Sequence, residues 1–153
     1  LYRRSLYSHW RRTVPPPSMI TLDASTRDKC TVKRQATNTP LQSLVLLNDP
    51  QYVEASRILA ERMMKEGGLD VEDRITFAFR LATSRRPNTA ELGELVDLYD
   101  KQIQYYSQTP KASMELFSIG DSPVDSDIDN IKLAASTIIA STIINLDESV
   151  RKG

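Results

Sequence analysis

The residues best equipped for chemistry form one polar run, Arg34-Gln35-Ala36-Thr37-Asn38-Thr39, immediately before Pro40. Backbone N–H groups at a helix N-terminus favour anions, and the Arg34 guanidinium adds a planar fork that matches a carboxylate or sulfate. Gln35 and Asn38 would add neutral hydrogen bonds, and Arg11 and Arg12 further positive charge. The candidate ligand-binding set is therefore Arg11, Arg12, Arg34, Gln35 and Asn38, for an acidic or sulfated glycan or another anion. The same residues have a structural use: Arg34, Gln35 and Asn38 would hydrogen-bond loop carbonyls and tie the N-terminal arm to the helices that follow.

Other chemistry is bounded by residue counts. His9 is the only histidine, so a multi-His metal site is excluded and a Ser-His-Asp triad would have to be built around it. Beside Trp10 it reads as part of an amphipathic arm. Cys30 is the only cysteine, which excludes an internal disulfide and any Cys-rich zinc or iron–sulfur site. Lys29, Lys33 and Arg34 would lower its thiol pKa, but no base lies nearer in sequence than His9. Asp125, Asp127 and Asp129 have the spacing of a calcium loop, which fails where Asn130 replaces the turn glycine and Ser136 the bidentate glutamate. There is no Cys-x-x-Cys-His for covalent haem and no glycine-rich phosphate loop. No catalytic constellation is visible, and neither metal nor cofactor residues are predicted.

The elements that must position these residues are helical. Thr39 and Gln42 form a capping box around Pro40 at the first helical position, and the apolar run Leu44 to Leu47 is expected to be wrapped by other elements. Asp49-Pro50 caps a second helix, to about Glu66, with Tyr52, Ala55, Leu59 and Met63 on one face. Glu54, Arg57, Glu61 and Lys65 form a charge ladder on another face, and Gly67-Gly68 is the stop. A third helix, about Val71 to Thr83, buries Val71, Ile75, Ala78, Phe79 and Ala82. Asn88 and Glu91 box the start of a fourth, whose inward face is Leu92, Leu95, Val96, Tyr99, Ile103 and Tyr106. A short helix runs from Pro110 to about Phe117. The last, about Asp127 to Asn145, shows a stripe of Ile128, Ile131, Ala135, Ile138, Thr142 and Leu146, widened by Ile139 and Ile143. Ser18 to Leu22 reads as one helical turn and residues 1–14 as a weak strand or short helix.

The expected fold is all-α, a bundle-like domain of five or six helices (residues 39–153) with an irregular or short-strand N-terminal arm (residues 1–38) packing on it. Hydrophobic and charged contents of 40% and 26% suit a folded domain with a real core. No run reaches the length of a membrane span. Residues 1–34 hold eight Lys/Arg against Asp23 and Asp28, a balance of +6, and the remainder carries the compensating −6. Either the arm lies against the acidic body or it presents an anion-binding surface. No recognition-helix pattern supports nucleic acid as the partner. The opening Leu1-Tyr2-Arg3-Arg4, without Met or signal peptide, reads as the start of a fragment of a longer protein.

At Arg3-Arg4-Ser5-Leu6-Tyr7, Trp10 to Pro17, Asp23-Ala24, and above all Arg34-Gln35 through Asn38-Thr39-Pro40-Leu41-Gln42 to Leu47-Asn48-Asp49-Pro50, the chain resembles a known family. It looks like the C-terminal planctomycete-specific domain of unknown function that closes large exported bacterial proteins, many with a c-type cytochrome domain upstream. Asn145-Leu146-Asp147-Glu148 is similar to the family's ending, so the resemblance spans nearly the whole chain. It implies a periplasmic or cell-surface setting, and haem c in the upstream part rather than here. Its implied partners are the upstream domains of the same protein. The resemblance also implies a link to electron transfer or polysaccharide breakdown through the neighbouring domains. With one histidine, one cysteine and a charge-segregated arm, the expected function of this chain is a non-catalytic interaction or scaffold domain. The alternative is an anion- or glycan-binding part of a polysaccharide-processing enzyme. The resemblance carries over no catalytic residue.

Overall fold

The computed structural model describes residues 9–11, 13–25, 30, 32 and 37–150. Among them are eight helices and no strand: α1 (Pro17–Thr21), α2 (Pro40–Asn48), α3 (Pro50–Glu66), α4 (Val71–Thr83), α5 (Thr89–Gln108), α6 (Pro110–Phe117), α7 (Asn130–Ile144) and α8 (Asp147–Val150). The all-α expectation holds, and α2 to α7 are the six helices the sequence signals. Of residues 1–14, the five described ones form no strand, and the rest lie outside the described residues.

The chain divides into two compact units, residues 1–45 and 46–153, with the boundary inside α2. In the first unit, Pro16 ends in an extended conformation and Pro17 occupies the first turn of α1, where a missing N–H costs nothing. After α1, Asp23 adopts a left-handed backbone (φ 58°) that short polar residues tolerate. The capping box at the start of α2 forms as its sequence requires. Thr39 N–H donates to Gln42 Oε1 at 3.1 Å, and Gln42 N–H donates to Thr39 Oγ1 at 3.3 Å. The apolar run that follows is covered only in part. Leu46 is buried, but Leu41, Leu44 and Leu47 are 58%, 55% and 45% exposed. Their i, i+3, i+6 spacing gathers them on one side of α2.

The second unit is built around α7. It packs against α3, α5, α6, α4 and α8, and Leu133 to Thr137, Ile139, Ala140 and Ile143 are buried. A helix contacted on so many sides is apolar all round. The expected single stripe is therefore corrected: Ile131, Ile138, Thr142 and Leu146 are only partly buried, while Leu133, Ile139 and Ile143 are fully enclosed. The helix also begins three residues later than expected, because Asp129 accepts from Lys132 N–H at 3.0 Å as its N-cap. The buried Thr137 hydroxyl is satisfied by donating to Leu133 O at 2.8 Å.

Against α7 lie Ala60 and Met63 of α3, Ile75, Ala78 and Phe79 of α4, and Leu95 and Tyr99 of α5, in one continuous core. The inward faces expected for α4 and α5 are observed, as is Met63 on α3, whereas Ala55 is exposed and Glu54, Ser56, Arg57 and Ala60 are buried there. Capping follows the sequence closely. Asp49 accepts from Gln51 N–H at 2.9 Å, and Asn88 and Glu91 exchange bonds of 2.8 Å at the head of α5.

Candidate functional site

Of the five residues expected to bind an anion, Arg12, Arg34 and Gln35 lie outside the described residues. Arg11 and Asn38 are both exposed. What the structure assembles beside them is a polar knot inside the first unit. Asp23 Oδ2 accepts from Thr37 N–H at 2.7 Å, from Thr37 Oγ1 at 2.8 Å and from Gln42 Nε2 at 3.1 Å. Gln42 also donates to Thr37 Oγ1 at 3.1 Å while its Oε1 serves the capping box. Gln42 is 4% exposed, so its three side-chain bonds are part-buried. The knot joins the turn after α1 to the head of α2, residues 14 to 19 positions apart. The Asp23-Ala24 and Thr39–Gln42 motifs were visible in the sequence, but no local rule pairs them.

A second knot lies in the body. Arg57 is 1% exposed and donates to Glu61 Oε1 at 2.8 Å, to Ser122 O at 2.8 Å and to Pro123 O at 3.3 Å. Glu54 lies 3.8 Å from the same guanidinium and accepts from Ser122 N–H at 2.6 Å. The ladder expected on α3 thus exists, but its first half is buried beneath the loop that joins α6 to α7. Gly120 makes that cover fit: its φ is +96°, and a Cβ there would lie 2.5 Å from Glu54 Cδ. Lys65 at the outer end of the ladder pairs with Asp125, which also accepts from Asp127 N–H at 3.0 Å. With Asp129 capping α7, two of the three carboxylates at calcium-loop spacing, Asp125 and Asp129, hold separate structural posts. No group of residues suited to a metal ion occurs among the described residues.

The third knot is Arg85, just past the C-terminus of α4. Its guanidinium makes two bonds to Glu91 (2.8 and 2.7 Å) and two to Glu148 (2.8 and 2.9 Å), and lies 4.8 Å from the centre of the Phe79 ring. These bonds raise the Arg85 pKa, and the Glu91 carboxyl is held down to about 2, first by Arg85 and then by the Asn88 N–H. Arg85 therefore joins the ends of α4 and α5 to α8. No local pattern pairs Arg85 with Glu148, which is 63 residues away.

Beside this knot a cleft of about 470 Å³ opens between the end of α3, the outer face of α4 and the start of α5. Glu66, Glu72 and Asp73 line it along with Arg80, Arg86 and Phe77. No local motif marks it, since its residues come from three elements. His9 and Cys30 are exposed. No helix of the described residues is long and apolar enough to cross a membrane.

Residues 1–99 match the family model described as PSD1, protein of unknown function (DUF1553). No curated protein and no solved structure matches the chain. The match contains the motifs around Asp23 and Thr39 to Pro50 but not Asn145 to Glu148, so it is shorter than the resemblance suggested.

Proposed function

The chain belongs to the PSD1 family of proteins of unknown function, and we propose that it is a non-catalytic interaction domain that docks other domains of a larger exported protein. The observation that carries this reading is α2. The polar motif at its head is committed to an internal knot, while Leu41 and Leu44 of the same unit are exposed. Apolar side chains grouped on one helix face mark a surface that a partner covers. The polar residues nearest to it hold that face in place, which is the work of a platform.

The setting proposed is periplasmic or cell-surface, with the upstream domains as the partner and a link to electron transfer or polysaccharide breakdown made through them. Haem c does not fit this chain, because Cys30 cannot by itself supply the two thioether bonds of covalent attachment. Any such group would belong upstream. The test is Leu41→Asp. An acid in the first turn of α2 favours the helix, so the isolated domain should keep its stability within about 0.5 kcal/mol. In the parent protein the same change should expose Arg11 and Arg12 to trypsin if docking is lost. Equal cleavage in wild-type parent, variant parent and isolated domain would refute the proposal.

A second reading is favoured by the +6 balance of residues 1–34 and by the exposure of Arg11 and Asn38: an anion site for an acidic or sulfated glycan. It requires Arg34 as the fork. Arg34→Ala should abolish the thermal shift produced by a sulfated oligosaccharide. A shift retained in the variant would dismiss this reading.

A further inference from the structure

The cleft beside α4 is polarised. Asp73, Thr76, Phe77 and Arg80 follow one another at i, i+3, i+4 and i+7, so they share the face of α4 that lines it. Glu72 and Asp73 stand at the N-terminal end of that face and Arg80 at the other, about 10 Å further along the axis at 1.5 Å per residue. Phe77 lies between them. The acids and Arg80 also suit the dipole of α4, but the dipole does not account for Arg86, which comes from the connection after α4 and reinforces the cationic end. Nor does it account for an open cleft with an aromatic side chain midway.

The lining is prearranged by its neighbours. Arg62 holds Glu66 through two 3.0 Å bonds and lies 5.9 Å from the centre of the Phe77 ring. The Arg85 knot fixes the backbone of Arg86, whose carbonyl accepts from Arg85 Nη1 at 3.2 Å. Glu66 is thus already neutralised, leaving Glu72 and Asp73 as the acids facing Arg80 and Arg86 across an apolar middle.

We propose that this cleft binds a short peptide segment carrying a cationic side chain at one end, an apolar side chain over Phe77 and a carboxylate at the other end. A volume of about 470 Å³ lies within the usual size of a ligand site. An acidic carbohydrate satisfies the arginines but brings no cation to Glu72 and Asp73, and a neutral one uses neither end. A mixed-charge peptide uses both. The proposal rests on the reading of the chain as an interaction domain, but on residues that the α2 test does not touch. Loss of one result leaves the other standing.

The experiment is a titration of the ¹⁵N-labelled chain with acetyl-Lys-Leu-Ala-Glu-amide, whose four residues span about 10 Å when extended. Saturable amide shifts are expected within residues 66–80 and 86–92. The probe ending in Gln should bind about threefold more weakly, the ratio expected of an exposed ion pair. In the Arg80→Gln/Arg86→Gln chain the two probes should bind equally, and the amide spectrum itself reports that the variant is folded. No saturable shift in the cleft, a Glu-to-Gln difference that survives in the variant, or equal displacement of the probe by glucuronate would each overturn the assignment.

Discussion

Arg57 concentrates the buried charge of the body: one guanidinium serves Glu54, Glu61 and two loop carbonyls with almost no exposure. Removing the cation leaves two shielded carboxylates without their counter-charge. Arg57→Ala should therefore cost about 3–5 kcal/mol, read as a lowered urea midpoint. Arg57→Met restores the packing but not the charge, so adding Glu54→Gln to it should recover stability rather than subtract from it. If the double change is the worse one, charge balance is not what the knot supplies. Gly120→Ala attacks the same knot from the loop, through both its positive φ and the approach to Glu54, and should destabilise by more than about 1 kcal/mol. The ladder at Glu54, Arg57, Glu61 and Lys65 was legible from i,i+4 spacing. Its burial was not, because the covering loop is more than sixty residues away and makes its contacts through backbone atoms that carry no residue signature.

Glu91 gives the residue scale a pH dependence. Its carboxyl is depressed in the folded chain, so its contribution is complete above about pH 4.5, the ordinary value, and is lost as the pH falls through about 2. Glu148, lowered by the same arginine, adds in the same direction. Acidification across that window should loosen α8 and the head of α5 before the core gives way. Faster amide exchange at residues 147–150 and 89–92 would report it. Glu91→Gln should flatten the Glu91 part of the response, and high salt should weaken all of it, since these groups face solvent.

At the scale of elements, α2 separates what a cap contributes from what a knot contributes. Thr39→Ala removes one capping oxygen and should cost about 1 kcal/mol. Gln42→Ala removes the reciprocal half of the box and also the link to Asp23 and Thr37, from a buried position. It should cost more than Thr39→Ala, with exchange rising at Thr37 and Asp23 as well as along α2. Equal effects confined to α2 would mean that Asp23 is held by something else. Caps and breakers were the most legible features because they act within four residues: Thr39–Gln42, Asp49-Pro50 and Asn88–Glu91 all form as written. Phase on α7 was the least legible. A helix contacted on many sides offers no polar face to anchor the period, so nothing in Leu133 to Ile144 marks which isoleucines are innermost. As for the candidate anion site, only Arg11 and Asn38 fall among the described residues. The threonines, glutamine and aspartate near them turn out to serve the fold.

At the scale of the whole molecule, the family match and the core have different boundaries. The match ends at residue 99, in the middle of α5, whereas the helix that fills the core spans residues 130–144. Every residue of the continuous core lies between Ala60 and Ile143, with contributions from α3, α4, α5 and α7. A chain ending at residue 99 keeps the first three of those surfaces and loses the fourth, leaving Met63, Ile75 and Phe79 without the helix they pack around. Each large buried side chain so exposed forfeits about 1.5–3 kcal/mol of burial, against a domain stability of only about 5–15 kcal/mol in all. That chain should show helical signal without a cooperative melt, and should aggregate. The chain from Asp49 to Val150 keeps the N-cap of α3, the whole core and the Arg85–Glu148 link. It should melt cooperatively by circular dichroism on its own. If the residue 1–99 chain melted cooperatively and the 49–150 chain did not, the organising centre would have to lie in the matched motifs rather than around α7. The physical domain would then follow the sequence family instead of the packing.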